Sequence, residues 1–248
     1  MQTTHGWSVK FFGAPVETEG WQQLARKVRL FASHRFIRGQ GLEIGALHDP
    51  LPTFHHAVVR YVDSLGAEER RRTYPEVADQ SQVKVDLIDD IERLTQIADA
   101  SVDFVIANHV LEHCHNPIAA LHTMLRVIRK DGVIYFSVPD KRFTFDRERA
   151  ITAYQHLVRD FREGSVAYDR EHYLEWCAKV HNQPGEALSD AELERAHPNI
   201  HFHVWTQTEI LQLLLNVRRD FGLAFEVEFF AKNGAEVVVV LRKAPTIC

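Results

Sequence analysis

Two short apolar runs, Gly41–Gly45 and Ala57–Asp63, end in residues that suit a nucleotide-like ligand, with Asp63 eighteen positions after Gly45. Gly45 lacks a Cβ, so the backbone can turn sharply there and approach a ligand closely. A carboxylate at the end of the next run can accept hydrogen bonds from both ribose hydroxyls of an adenosine laid across the strand ends. Further along, His109, His113 and Asp140 follow later apolar runs and are candidates for taking a proton from a hydroxyl. His113 reads rather as a packed histidine holding its helix, and Glu112 equally well as a helix-start residue. The segment His201-Phe202-His203-Val204-Trp205 alternates like a short strand, with both histidines and the tryptophan on one side. His201 and His203 are therefore candidate bases shaping an acceptor site. They could also ligate a metal with a third ligand such as His172 or Asp140. Histidines pack in polar cores as well, and the expected reading is no metal.

These groups need a scaffold that presents strand ends side by side. From 40 to 140, apolar runs alternate with helical stretches: 41–45, 57–63, 83–88, 102–107 and 133–138 read as strands. A helix carries Ile118, Leu121, Leu125 and Ile128 on one face and stops at Asp131-Gly132. This alternation predicts parallel β-α units covered on both faces. Before it, Trp21, Leu24, Ala25, Val28 and Phe31 recur at helical spacing. The aromatic lead-in with Trp7, Phe11, Phe12 and Trp21 reads as a lid or as simple packing. Residues 141–204 break the rhythm, with helix expected at 146–162 and around 169–181 and a loop at 182–198, where Pro184-Gly185 signals a turn. Thr206-Gln207-Thr208-Glu209 has capping-box spacing and opens a helix toward Phe221-Gly222. Two last apolar runs, 224–230 and 235–241, are joined through Asn233-Gly234, a hairpin signal. One domain over 1–248 is expected, with a helix or lid at 1–38 and a substrate-side insertion at 141–204 between the fifth and sixth strands.

Taken in order, these elements resemble the class I S-adenosylmethionine-dependent methyltransferases, in particular the methyltransferase type 11 group. Leu42-Glu43-Ile44-Gly45 is similar to the family's first motif, whose glycine turn passes the methionine part of the cofactor. Tyr61-Val62-Asp63 matches the ribose-binding position. Asp89-Asp90-Ile91-Glu92-Arg93-Leu94 resembles the adenine segment, with Asp90 favoured over Asp89 for the exocyclic amine and a following backbone amide for the ring. Asp103 through His113 resembles the fourth-strand motif beneath the sulfonium. The resemblance implies cofactor contacts from Glu43, Gly45, Ala46, Asp63, Asp89, Asp90, Ile91, Asn108 and His109, and catalytic candidates His109, His201, His203 and Asp140. It implies an α/β fold: a Rossmann-like, doubly wound, seven-stranded sheet, mostly parallel, with a C-terminal antiparallel hairpin and a helical insertion or lid. One departure is plain: Leu47 and Asp49 stand where the family usually has further glycines.

The expected function is methyl transfer from S-adenosylmethionine to oxygen or nitrogen of a small polar metabolite. Two readings stand beside it: cyclisation of the cofactor's own aminobutyrate chain, and a non-catalytic adenosyl-ligand sensor. An NAD enzyme is disfavoured, because a full G-x-G-x-x-G is absent and the sheet is expected to end in an antiparallel pair. The 248 residues carry a net charge of −5 without a long Lys/Arg run, which argues against nucleic acid as a partner. Three scattered cysteines, Cys114, Cys177 and Cys248, suggest reduced thiols rather than a disulfide framework. The longest apolar run, Val237–Leu241, is far below the ~20 residues that span a bilayer. The N-terminal residues lack a signal-peptide pattern. A cytoplasmic location with no membrane partner is therefore expected.

Overall fold

The computed structural model describes residues 18–74, 77–164, 169–182, 185–197 and 199–245, with side chains from residue 26 onward. The lid residues Trp7, Phe11 and Phe12, the Trp21, Leu24 and Ala25 side chains, Pro184 and Cys248 lie outside the described residues.

Seven strands form one sheet in the order β3-β2-β1-β4-β5-β7-β6. They are β1 (Gly39–Ile44), β2 (Ala57–Asp63), β3 (Leu87–Ile88), β4 (Val102–Asn108), β5 (Ile128–Pro139), β6 (Phe225–Asn233) and β7 (Glu236–Lys243). The first five pair in parallel, β7 runs antiparallel to β5, and β6 runs antiparallel to β7. The helices are α1 (Thr18–Phe36), α2 (Ala67–Thr73), α3 (Pro117–Val127), α4 (Tyr154–Glu163), α5 (Asp169–Lys179), α6 (Asp190–Ala196) and α7 (Gln207–Phe221).

The central strands are apolar at nearly every position because both faces are covered. Val105, Ala107, Ile134, Phe136, Val237 and Val239 join one buried cluster with Leu121 and Met124 of α3 and Leu213 and Val217 of α7. The alternate residues Phe104, Ile106, Tyr135, Val238 and Val240 face Ala32 and Val28 of α1. Phe31, although in phase with Val28, is 58% exposed and only leans on Phe229. Asn116 caps α3, its Oδ1 accepting from the Ala119 amide at 2.9 Å ahead of Pro117. Thr206 and Glu209 form the expected box at α7, and Gly222 closes that helix in the left-handed conformation.

Four local expectations give way to tertiary bonds. The run 83–88 pairs only at Leu87–Ile88, because the Val83 amide donates to Leu47 O and the Asp86 side chain takes the Tyr61 amide at 2.8 Å. The helix after Pro117 ends at Val127 instead of Asp131-Gly132, since Ile128 already pairs with Val102. Over 146–162, α4 begins only at Tyr154. Ahead of it a short 3-10 helix, Phe145–Glu148, gives way to extended chain, with the Thr152 amide donating to Val204 O and the Val204 amide to Thr152 Oγ1. Within 182–198, α6 forms behind a Ser189–Glu192 capping box, and Leu193 is fully buried against the α5 side of the insertion.

Candidate functional site

The strand order reverses between β1 and β4, so their C-terminal ends diverge into a crevice of the kind that holds ligands in open α/β sheets. The ends lie in step. The Gly45 amide donates to Val62 O, Asp89 N to Asp63 O, and His109 N to Ser137 O. Gly45 has φ +64°, and a Cβ there would sit 3.2 Å from Val110 Cγ2, so the turn after β1 packs on the turn after β4. Leu47, where the family usually has glycine, takes the left-handed conformation all the same, with φ +46°.

Asp63 is buried at the end of β2. Oδ1 accepts from the Leu65 amide at 3.0 Å and Oδ2 lies 4.0 Å from Arg70 Nη1. Burial raises its pKa, against the Leu65 amide and Arg70. Asp89 is turned onto its own loop, accepting from the Asp90 and Gln96 amides, and Asp90 accepts from the Glu92 amide at 2.9 Å. Ile91 is buried beneath them. Ala46 is half-buried in the β1 loop. Burial pushes the Glu43 carboxyl up to about 8, although Oε1 accepts from the Leu51 amide that closes this loop at 2.7 Å.

At the β4 end, Asn108 Oδ1 accepts from Ser137 Oγ at 2.9 Å, while its Nδ2 is buried without a hydrogen-bond partner. Next to it His109 is held with φ +51°. Its Nε2 is 2.7 Å from Glu236 Oε2 and its Nδ1 3.2 Å from Glu112 Oε1. Glu236 also receives Arg29 of α1 and the Asn233 amide group. Burial disfavours a charged His109 ring, but the two carboxylates outweigh it and raise its pKa to about 9. The same contacts hold Glu112 and Glu236 below the usual carboxylate range against the opposing effect of burial.

A raised histidine pKa contributes stability that is fully present below the unfolded value near 6.5 and is lost as pH rises through about 9. An NMR titration of the His109 ring is expected to show a midpoint near 9, moving toward 6.5 in Glu236→Gln. A wild-type midpoint near 6.5 would contradict the double ion pair.

Arg29, Glu112, Glu236 and Asp146 complete the polar arrangement, and sequence reasoning missed their partnerships. Only Glu236, an acid opening the Val-rich β7, carries a visible signal. His201 and His203 are not in a strand; the one bridge in this stretch joins Trp205 to Asp140. The Phe202 and His203 amides both point at Glu112 O, and the two rings go to different clusters. His201 Nδ1 meets Asp146 Oδ2 at 2.6 Å, its ring against His113. His203 Nε2 donates to His115 O, its ring near those of His156 and His172. Asp140 is fully buried, bound to the Arg142 guanidinium and the Gln207 amide. A cavity of 720 Å³ opens at the β3 edge near Gly66, Arg70 and Lys84, beside the pairing of Asp63 with Ile88; Gly45, Asp63 and His109 do not line it.

The family model for the methyltransferase domain matches residues 21–217. The chain belongs to the methyltransferase family. S-adenosylmethionine is the cofactor of this methyltransferase, and the strand-end residues fit it: a close-approach glycine turn, an acid ending β2, and an unpartnered amide donor at Asn108. No curated protein matches the methyltransferase in sequence. Among solved structures, the PH0226 protein from Pyrococcus horikoshii OT3 is similar, with TM-score 0.50 and 17% identity over 92% of each chain. A SAM-dependent methyltransferase from Aquifex aeolicus is 12% identical at TM-score 0.48, covering 93% of this chain and 100% of its own. The CurJ carbon methyltransferase is 13% identical at TM-score 0.49 over 90% of this chain, which spans 55% of the CurJ chain. Among the described residues, no helix is long and apolar enough to cross a membrane.

Proposed function

We propose that this methyltransferase transfers the methyl group to an oxygen or nitrogen of a small polar metabolite, with His201 as the general base. The observation that carries this reading is the Asp146–His201 pair. With Nδ1–H donated to a carboxylate that is 1% exposed, Nε2 keeps its lone pair and a fixed direction. That ring lies against His113, and donor atoms of His201, His113 and Glu112 are within 4.8 Å of one another. Glu112 in turn touches His109 beside Asn108, so the base adjoins the β4 end where the cofactor's reacting part is proposed to lie.

The cofactor supplies a methyl group already activated on a sulfonium, so the protein's task is to align the acceptor and remove its proton. Asp63 is proposed to hold the ribose, Asp90 (with Asp89 shaping the loop) and the Ile91 amide the adenine, and the Glu43–Gly45–Ala46 turn with Asn108 the amino-acid end. His109, whose pKa Glu112 and Glu236 raise, is proposed to orient the acceptor and balance charge. Asp140, occupied by Arg142 and the first turn of α7, is a positioning residue in this scheme, and His203 serves a separate cluster.

The test is turnover of methyl-labelled S-adenosylmethionine against a panel of hydroxyl- and amine-bearing metabolites. S-adenosylhomocysteine and a labelled acceptor are expected, and methylthioadenosine as the main product would overturn the proposal in favour of cyclisation. With an acceptor in hand, His201→Ala is expected to lower kcat by about 100-fold or more, with cofactor affinity unchanged. An unaltered kcat would remove His201 from the base role.

A further inference from the structure

We propose that the insertion carries a four-ligand zinc site formed by His156, Asp160, His172 and His203. One donor atom from each of the four lies within 4.8 Å of every other. His156 and Asp160 are one turn apart on α4, His172 is on α5, and His203 is in the irregular segment before α7. His156 Nε2 is 3.1 Å from both His172 Nε2 and Asp160 Oδ2. Ligands of a tetrahedral zinc with bonds of ~2.0–2.1 Å stand about 3.3 Å apart, so these contacts already have the spacing of atoms sharing an ion.

The protons do not account for the cluster by themselves. Asp160 is 1% exposed, and apart from the approach of His156 Nε2 to Oδ2 neither carboxylate oxygen has a hydrogen-bond partner. His203 is fully buried, and because its Nε2–H donates to His115 O, Nδ1 presents a lone pair that nothing answers. A backbone carbonyl on the far nitrogen is the usual way a ligating imidazole is oriented. A single hydrogen on His156 Nε2 could serve Asp160 or His172, but not both. Three imidazoles and one carboxylate suit zinc better than magnesium or calcium, and four protein ligands describe a structural, closed site. Its effect would be to staple α4, α5 and the 200–205 segment, which between them carry the proposed base. The neighbouring set Glu112, His113 and His201 offers only three donors, one short of a closed tetrahedral site.

One feature opposes loading. Arg159 Nη2 lies 3.1 Å from His156 Nδ1, the nitrogen that must carry the ring proton once Nε2 binds metal. Arg159 has to turn away, so Arg159→Ala should bind zinc more tightly than the parent chain.

The experiment strips the full chain with a chelator and titrates it with Zn²⁺ by calorimetry, and with Co²⁺ in the visible region. One equivalent of tight zinc and the intense bands of tetrahedral cobalt are expected. Asp160→Ala or His172→Ala should weaken binding by more than ~100-fold, beyond the cost of losing an outer-shell partner, while His109→Ala leaves it intact. Absence of stoichiometric zinc binding, or an octahedral cobalt spectrum in the parent chain, overturns the proposal. Both readouts use the parent chain, so they decide even if a variant fails to fold. Neither involves S-adenosylmethionine turnover.

Discussion

Asp63→Ala is expected to weaken S-adenosylmethionine binding by roughly 30- to 1000-fold, since two charge-assisted hydrogen bonds of ~1.5–3 kcal/mol each are at stake and partial rehydration offsets some of that. Calorimetry with S-adenosylmethionine and S-adenosylhomocysteine should show the same loss for both, because the ribose is common to them. The substitution has a second consequence. Arg70 is 3% exposed, and its charge faces Asp63 at 4.0 Å. Removing the carboxylate leaves a buried guanidinium short of a counter-charge, so the variant should also be less stable. The double variant Asp63→Ala/Arg70→Met separates the two effects. It should regain stability but not affinity. Recovery of affinity in the double variant would mean that Asp63 acts on the fold and does not bind the ribose.

The largest stability loss is expected at Asp146→Ala, at ~3–5 kcal/mol, because it strips the buried partner from a buried ion pair and leaves Arg149 only the partly exposed Glu175 as counter-charge. Arg149 has a fully buried side chain and Asp146 one only 1% exposed, in contact at 2.9 Å, and the same carboxylate holds His201. Arg149 also donates to His201 O at 2.6 Å, so the pair fixes the backbone that carries the proposed base. At ~2–4 °C per kcal/mol for a chain of this size, the melting temperature should fall by about 6–20 °C. Glu175 makes the comparison sharp. It also pairs with Arg149, but it is 29% exposed. Glu175→Ala should therefore cost ~1 kcal/mol or less, as partly hydrated pairs do. Equal melting temperatures for the two variants would show that burial does not set the worth of this network.

The sheet and the strand ends where the cofactor is proposed to lie were legible because they rest on local rules. Strands buried on both faces must be continuously apolar, which marks 102–107 and 133–138 without any tertiary information. Asn233-Gly234 between two apolar runs is hairpin chemistry, and Thr206 with Glu209 is capping chemistry; both depend on residues a few positions apart. The positions of Gly45, Asp63 and Asn108 at strand ends follow from the same patterns. The Ser189–Glu192 box was an equally local signal that the loop reading of 182–198 passed over, and it marks the start of α6.

The proposed acceptor side is set by contacts that join distant parts of the chain. His109 reads as a possible base from its place after the fourth strand, and only the fold brings Glu236, 127 positions later, against it to raise its pKa. His201 and His203 alternate as a strand would, yet no neighbouring strand pairs with them. The Phe202 and His203 amides turn to Glu112 O instead, and the histidine rings part, one to Asp146 and the other to the His156–His172 cluster. An alternating pattern describes a strand only when a ladder partner is present, and a histidine's protonation depends on which charges surround it. The first requires knowing the fold and the second its packing, so only the tertiary structure could decide them.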